Sequence, residues 1–308
     1  MARYILGVDV GSTHTDAVIV DENGAFINGA KTITTPDVTT GIINAMKLVI
    51  EKTKVNRDDI AAVSFGTTHI INAIVQRRNL GRVGVIRIGA PATRSVDPGL
   101  DWPEDLKKAI IAGYTIVRGG HEYTGEHIVE LDEGGIVKAL YAFKEMGVNA
   151  IAVTSVFSIV NPEHELFVQE KAREIMPNIP IVLSYEIGSI GLLERENATI
   201  LNAAVLKVMQ RAINALEKAL LDLNLGHARM FFAQNDGTVA TKEYIARYPI
   251  FTVVAPISNS IRGAYVLTKI PNAIVVDTGG TTSNIGVLRK GYPREALEIE
   301  IAGVRTVS

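Results

Sequence analysis

The sequence contains no cysteine, which excludes disulfides, thiolate-bound metal sites and thiol nucleophiles together. It lacks an excess of charge of either sign: 31 basic and 33 acidic residues leave a formal net charge of -2. No global field favours nucleic acid, and no block of like charge suggests an interaction tail. A leading hydrophobic run is missing too, because the N-terminal segment reaches Asp9 after only a few apolar residues, too few for a signal peptide or a membrane span. A soluble, cytoplasmic protein that binds neither membrane nor nucleic acid is expected. Neither a Gly-Lys-Ser/Thr phosphate loop nor a Gly-x-Gly-x-x-Gly turn after a strand is present, so P-loop and dinucleotide-binding folds are excluded. The single tryptophan, Trp102, stands beside Pro103, where it can pack an irregular segment shut.

What is present is enough apolar material for two cores: 308 residues, 47% of them apolar, exceed one average domain. Residues 4–10 and 16–21 read as strands joined by a Gly-Ser-Thr turn, and Glu22-Asn23-Gly24 turns the chain into a third strand through 30–33. Over 40–54 the spacing puts Ile42, Ala45, Met46 and Val49 on one helical face, and 60–65 returns to a short apolar strand. Residues 90–133 are Gly- and Pro-rich with poor periodicity, which predicts an insertion or a substrate-facing segment. An α/β stretch follows: a helix over 136–146, a strand over 150–157, a helix over 162–176 with Pro162 in its first turn and Asn161 as cap, and a strand over 181–184. A long helix over 194–223 links two expected lobes, 1–195 and 196–308, the second with strands at 230–232, 250–254 and 273–277. A three-strand meander followed by helix-crossed strands is the order of the two-lobed ribonuclease-H-like α/β fold of actin, sugar kinases and Hsp70-type ATPases.

One turn occurs twice. Val8-Asp9-Val10-Gly11-Ser12-Thr13 and Val276-Asp277-Thr278-Gly279-Gly280-Thr281 align Asp9 with Asp277, Thr15 with Ser283 and Asp16 with Asn284. Glycines let the backbone approach a ligand, and successive N–H groups with Ser/Thr hydroxyls make an anion-binding nest. An acid beside such a nest repels phosphate unless a cation intervenes, so Asp9 and Asp277 imply Mg²⁺ held largely through waters. Two such hairpins, one per lobe, can clamp the phosphates of ATP, and positioning with charge neutralisation is most of what phosphoryl transfer needs. A lone Asp-x-Gly-x-Thr is an ordinary hairpin turn; the repeat with matching flanks is what points to chemistry.

The chain resembles the hydantoinase/oxoprolinase family, in particular the N-terminal portion of the hydantoinase A subunit. The resemblance rests on Gly7 to Asp16, Gly66-Thr67-Thr68 with Asn72-Ala73, Gly119-Gly120-His121-Glu122-Tyr123-Thr124-Gly125, Phe157-Ser158 with Asn161-Pro162-Glu163-His164-Glu165, Ser184-Tyr185-Glu186-Ile187 with Glu194-Arg195, and Asp277 to Ser283. It implies ATP-dependent opening of a cyclic amide or imide (hydantoin, 5-oxoproline or a lactam) through transient phosphorylation of its carbonyl oxygen. It also implies Mg-ATP as cofactor, a hydantoinase B-type partner subunit and room for a homo-oligomer. Asp9 and Asp277 would serve as catalytic and metal-binding acids. The cradle would be Gly11, Ser12, Thr13, Thr15, Asp16, Gly66, Gly279, Gly280, Thr281 and Thr282. Thr67, Thr68 and His14 would stand near the transferred phosphate or the substrate. Three positions depart from the family pattern: Phe65 replaces a usual His, Asn284 a usual Asp, and Pro256-Ile257-Ser258-Asn259-Ser260 a Gly-Pro-Ala-Gly-Gly stretch. The second lobe is expected to continue past Ser308, so that this chain is truncated.

Other polar residues carry weaker signals. His14 and His69 fit proton transfer or a structural hydrogen bond. His121 and Glu122 read as loop residues, solvated or facing substrate, and the spacing of His164 and His227 gives no zinc signature. Glu194-Arg195-Glu196 reads as a solvated charge run or as groups reaching a cleft. A small-molecule kinase on the same scaffold and a nucleotide-regulated binding protein remain alternatives to the hydrolase.

Overall fold

The computed structural model describes residues 3–307 except 12, 36, 37, 189, 280–282, 295 and 297. The chain opens on the expected meander, β1 (Tyr4–Val10), β2 (His14–Asp21) and β3 (Phe26–Ile33). Helix α1 (Val38–Thr53) follows, then β4 (Ile60–Gly66). The α1 face read from spacing is the one that packs: Ile42, Ala45, Met46 and Val49 are all buried. Each of the larger three contributes about 1.5–3 kcal/mol relative to exposure. Two elements without a sequence assignment come next, α2 (His69–Gln76) and β5 (Val83–Ala90).

The segment over 90–133, expected to be an insertion or a substrate-facing segment, holds α3 (Glu104–Ile110) and β6 (Ile111–Arg118). Most of β6 is only half-buried, which is why it showed no clean period. Helix α4 (Glu133–Met146) starts three residues earlier than its apolar pattern, because the Asp132 carboxylate accepts the Gly135 N–H at 2.9 Å and caps it. Strand β7 (Ala150–Ser155) leads to α5 (Glu163–Ile175). Pro162 occupies the N-cap of α5, not its first turn, and the Asn161 side chain accepts the Glu163 N–H at 3.1 Å. Strand β8 (Ile181–Leu183) and the long helix α6 (Leu192–Asp222) complete this part.

Strands β9 (Arg229–Ala233) and β10 (Val239–Thr241) and helix α7 (Lys242–Arg247) come next. The strand expected over 250–254 is a 3₁₀ turn, Pro249–Thr252, leading into α8 (Ala255–Thr268). Asn235 holds this segment out of a ladder, donating its backbone N–H to Phe251 O and accepting the Val254 N–H with its side chain. The remaining elements are β11 (Ala273–Thr278), β12 (Ser283–Arg289), β13 (Tyr292–Pro293), β14 (Glu298–Ile301) and β15 (Val304–Val307).

Two compact units result, both discontinuous in sequence: residues 1–71 with 209–295, and residues 72–208 with 296–308. Among the described residues the first unit holds a six-stranded sheet in the order β10-β9-β4-β1-β2-β3 and the small sheet β11-β12-β13. In the larger sheet β1, β2 and β3 run antiparallel while β4 and β9 join parallel to β1, the ribonuclease-H-like arrangement. The second unit holds the parallel sheet β6-β5-β7-β8 and the hairpin β14-β15. Strand β5 is buried throughout, as expected of a strand covered on both faces. Its Ile86 and Ile88 pack with Ile136, Leu140 and Phe143 of α4 and Val168 of α5. No described helix is long and apolar enough to cross a membrane.

Candidate functional site

The repeated turn folds as two hairpins of one register. Across β1 and β2, Asp9 pairs with Asp16 and Val10 with Thr15. Across β11 and β12, Asp277 pairs with Asn284 and Thr278 with Ser283. Directly opposed residues share a face of the sheet, so each hairpin presents its first acid beside its partner side chain at the turn end. Ser12, Gly280, Thr281 and Thr282 lie outside the described residues.

The first turn is braced from outside. The Gly11 N–H donates to His14 O at 2.9 Å, the Thr34 N–H to Thr13 O at 2.9 Å, and the Thr34 hydroxyl to Gly11 O at 2.9 Å. Thr15 is fully buried, with its hydroxyl 3.1 Å from that of Thr34; it holds the hairpin shut. Thr13 and His14 are exposed and meet each other through Oγ1 and Nδ1 at 3.1 Å. Asp16 is half-buried and pairs with Lys31 at 3.5 Å.

Asp9 is the centre of this unit's electrostatics. Its Oδ1 is buried with no hydrogen-bond partner among the described residues. Burial first, then the charges of Asp16 and Asp277, push its carboxyl up to about 6 against a lowering hydrogen bond from the Val10 backbone. A buried acceptor without a donor has desolvation to recover, and a hard oxygen donor set of this kind suits a magnesium ion. Asp277 itself accepts the Ser260 hydroxyl at 2.7 Å.

Gly66 lies opposite Asp9 in the parallel register of β1 and β4. A Cβ at Gly66 would stand 2.2 Å from Asp9 Oδ1 and 3.1 Å from the Asn259 side-chain nitrogen, so only glycine leaves the carboxylate its place. The next residue, Thr67, is buried; its hydroxyl bonds to His69 Nδ1 and accepts the His69 N–H at 3.2 Å. Thr68 is half-buried. The three departures from the family pattern thus have distinct locations. Phe65 is in the core, its ring 5.8 Å from that of Phe232 on β9. Asn284 stands across from Asp277. Asn259 and Ser260, in the first turns of α8 where glycines were expected, bring polar side chains to Gly66 and Asp277.

The second unit carries a buried polar network around Arg195 and Glu196, which read in sequence as part of a solvated charge run or as groups reaching a cleft. Arg195 and Glu196 are buried. Glu196 takes a two-pronged ion pair from Arg87 on β5, Nε to Oε2 at 2.7 Å. Arg195 donates to Ser155 O at 2.7 Å and Ser184 Oγ at 3.0 Å, and Glu165 accepts from Ser184 Oγ at 2.6 Å and the Ser155 N–H at 2.8 Å. Burial pushes both Glu165 and Glu196 upward, opposed by these donors. Trp102 closes beside the network, donating to Asn197 Oδ1 at 2.9 Å, and the buried hydroxyl of Ser155 has no hydrogen-bond partner among the described residues.

The chain is similar to known proteins in sequence and in fold. A profile described as the hydantoinase/oxoprolinase N-terminal region matches residues 5–176, and one described as hydantoinase/oxoprolinase matches 195–308. The chain is 27% identical to the caprolactamase subunit alpha of Pseudomonas jessenii, over 94% of this chain and 44% of that one. A crystal structure of the ATP-dependent caprolactamase of the same organism superposes with a TM-score of 0.75 at 23% identity, over 99% of this chain and 47% of that one. Nucleotide-free acetone carboxylase, described in connection with ATP-dependent acetone carboxylation, gives a TM-score of 0.77 at 18% identity, over 100% and 47% of the two chains. These two structures share the fold. The chain spans less than half the length of these relatives.

Proposed function

Because the chain belongs to the hydantoinase/oxoprolinase family, we propose that it is the ATP-handling part of an enzyme that opens a cyclic amide or imide. Hydantoins, 5-oxoproline and simple lactams are the substrate class. The reading rests on one observation above the others: two hairpins of identical register carry Asp9 and Asp277 close enough for the Asp277 charge to oppose ionisation of Asp9, whose Oδ1 has no hydrogen-bond partner among the described residues. That arrangement asks for a cation and, on it, phosphate. Magnesium, when bound, would neutralise phosphate charge beside the two acids.

This chain's residues then have assigned tasks. Asp9 and Asp277 hold the ion from the two hairpins, with Asp16 adding charge behind Asp9. Thr13 and Gly279, together with Ser12, Gly280, Thr281 and Thr282, offer backbone N–H groups and hydroxyls to the phosphates, while Gly11, its own N–H given to His14 O, lets the first turn close, and buried Thr15 fixes it. Gly66 keeps space for the Asp9 carboxylate. Thr67, Thr68 and exposed His14 stand toward the reacting groups.

An amide carbon is a poor electrophile, and phosphorylation of its oxygen corrects that. The carbonyl oxygen attacks the γ-phosphorus, the bond to the bridging oxygen breaks and ADP departs. Water adds to the activated carbon, the C–N bond opens with a proton passing to nitrogen, and a second water releases phosphate from the acyl phosphate. One ATP and two waters are consumed per ring.

The P. jessenii relative is named as a subunit, so the test uses the complete protein, with a B-type subunit present. Mg-ATP and a panel of hydantoins, 5-oxoproline and lactams should give phosphate release that is substrate-stimulated and stoichiometric with ring opening. A phosphorylated product that accumulates would replace this reading with a kinase. Nucleotide binding indifferent to every substrate would replace it with a nucleotide-regulated binding protein.

A further inference from the structure

Three histidines far apart in sequence meet in the second unit, and we propose that His121, His127 and His164 bind a borderline divalent transition metal ion, zinc in the first place, with Glu163 orienting His127. Their spacing along the chain carries no zinc signature. Folding brings one ring nitrogen from each within 4.8 Å of the others. The ring centres are 4.3 Å (His121–His164), 4.7 Å (His127–His164) and 5.0 Å (His121–His127) apart. Three imidazoles on one tetrahedral zinc, each with Zn–N near 2.0–2.1 Å, have ring centres roughly 5 Å apart. The cluster is therefore at ligating separation and needs only to turn its nitrogens inward.

The backbone builds this meeting deliberately. Beyond β6, Gly119 and Gly120 take φ of 136° and 96°. A Cβ at Gly119 would stand 2.5 Å from Ile88 and 3.3 Å from His164 Nδ1, so glycine lets the loop lie against β5 with His164 alongside. His121 then bonds through its N–H to Val156 O at 3.1 Å and bridges to His127 across a tight turn. His164 sits in the first turn of α5, next to Glu163.

Each histidine shows a feature of a ligand. His121 is fully buried, and neither ring nitrogen has a hydrogen-bond partner among the described residues; a buried polar group in that state calls for a bound water or ion. The Glu163 carboxylate lies 3.2 Å from His127 Nε2. A carboxylate at one nitrogen sets the tautomer and leaves the Nδ1 lone pair for a metal, the usual outer support of a ligating histidine. His164 Nδ1 now accepts the Gly120 N–H at 3.0 Å, so metal at that nitrogen exchanges a hydrogen bond for a coordinate bond. Access is provided by an open hollow of about 730 Å³ lined by His127, His164, Glu130, Glu133 and Glu163. Its acidic rim favours cations. Three nitrogens with one side open leave a fourth position for water.

Metal-free protein titrated with Co²⁺ reads the site directly, because nitrogen ligation in a four- or five-coordinate geometry gives strong visible bands that hexa-aqua or carboxylate-bound Co²⁺ lacks. One equivalent per chain, displaced by Zn²⁺, is expected. The exposed His127→Ala should remove the bands and weaken Zn²⁺ by about 100-fold or more, and Glu163→Gln by about 10-fold, the cost usual for an outer partner. His227→Ala, on an exposed loop, should leave both unchanged. Because Glu163 is a surface residue, its variant reports on the site even if His127→Ala folds poorly. Wild-type protein without a stoichiometric band, or Zn²⁺ affinity equal in wild type, His127→Ala and Glu163→Gln, overturns the proposal.

Discussion

The two hairpins share a register and differ in their surroundings. The first is set in a six-stranded sheet, its acid pressed against Gly66 and faced by a second carboxylate, Asp16. The second belongs to a three-stranded sheet with Ile274, Val276 and Ile285 exposed, and its acid is faced by Asn284 and hydrogen-bonded by Ser260. The same local sequence therefore yields a strained carboxylate in one place and a satisfied one in the other. What sets the chemistry is the partner strand and the helix behind each turn, not the turn.

The largest expected effect tests that asymmetry. In the complete enzyme, Asp9→Asn should lower substrate-dependent phosphate release by about 10³-fold or more, the scale seen when a preorganised electrostatic group is removed at a reacting centre. Asp277→Asn should cost less, since Ser260 keeps a hydrogen bond to the replacing amide oxygen. Equal losses would make the hairpins equivalent. Next in size is Gly66→Ala, whose methyl would meet Asp9 Oδ1 at 2.2 Å. We expect a loss of about 1–3 kcal/mol of stability from overpacking and a fall in activity. The double variant Asp9→Asn/Gly66→Ala should depart from the sum of the two single effects by about 0.5 kcal/mol or more, as neighbours in contact do; strict additivity would mean that the methyl strikes something else.

Stability against pH isolates Asp9 further. Its folded value of about 6 lies above the ordinary 3.8, so the fold favours the neutral acid. That contribution is complete below the unfolded value and is lost as pH rises from about 4 through 6. Above pH 7 the full penalty is present, about 3 kcal/mol for a shift of some two units. Asp9→Asn should accordingly be more stable than wild type above pH 7 by about 2–3 kcal/mol, with the difference fading below about pH 4. Urea denaturation across that range measures it. At Asp277 the same change weakens a charge-assisted bond from Ser260, and it should destabilise.

Both turns were legible because period-2 apolar strands flank Asp-x-Gly twice, and the α1 face was legible because its apolar spacing is helical. Elsewhere the local signal was ambiguous or the deciding partner was distant. Ile250 to Val254 is an apolar run that suits a strand as well as a buried turn, and only Asn235 decides between them. Arg195 and Glu196 look like a solvated run until Arg87, more than a hundred residues away, comes alongside. The family positions of Phe65 and Asn259 were visible in sequence, but not that the first points into the core and the second toward Gly66.

The smallest expected effect is the most direct test of the difference between the hairpins. Asn284→Asp sets a carboxylate opposite Asp277, copying the Asp9–Asp16 pair. Like charges directly opposed on a sheet cost about 0.2–1 kcal/mol, so the variant should be slightly less stable without added divalent ion. If the acids share a magnesium ion, that ion should recover the loss, and the Mg²⁺ concentration giving half-maximal ATP turnover should fall by a few-fold, because roughly 1 kcal/mol of relieved repulsion corresponds to about fivefold in affinity. A variant that loses stability and gains no Mg²⁺ sensitivity would leave the second hairpin outside the ion's reach, and Asp277 would then act on Asp9 through charge alone.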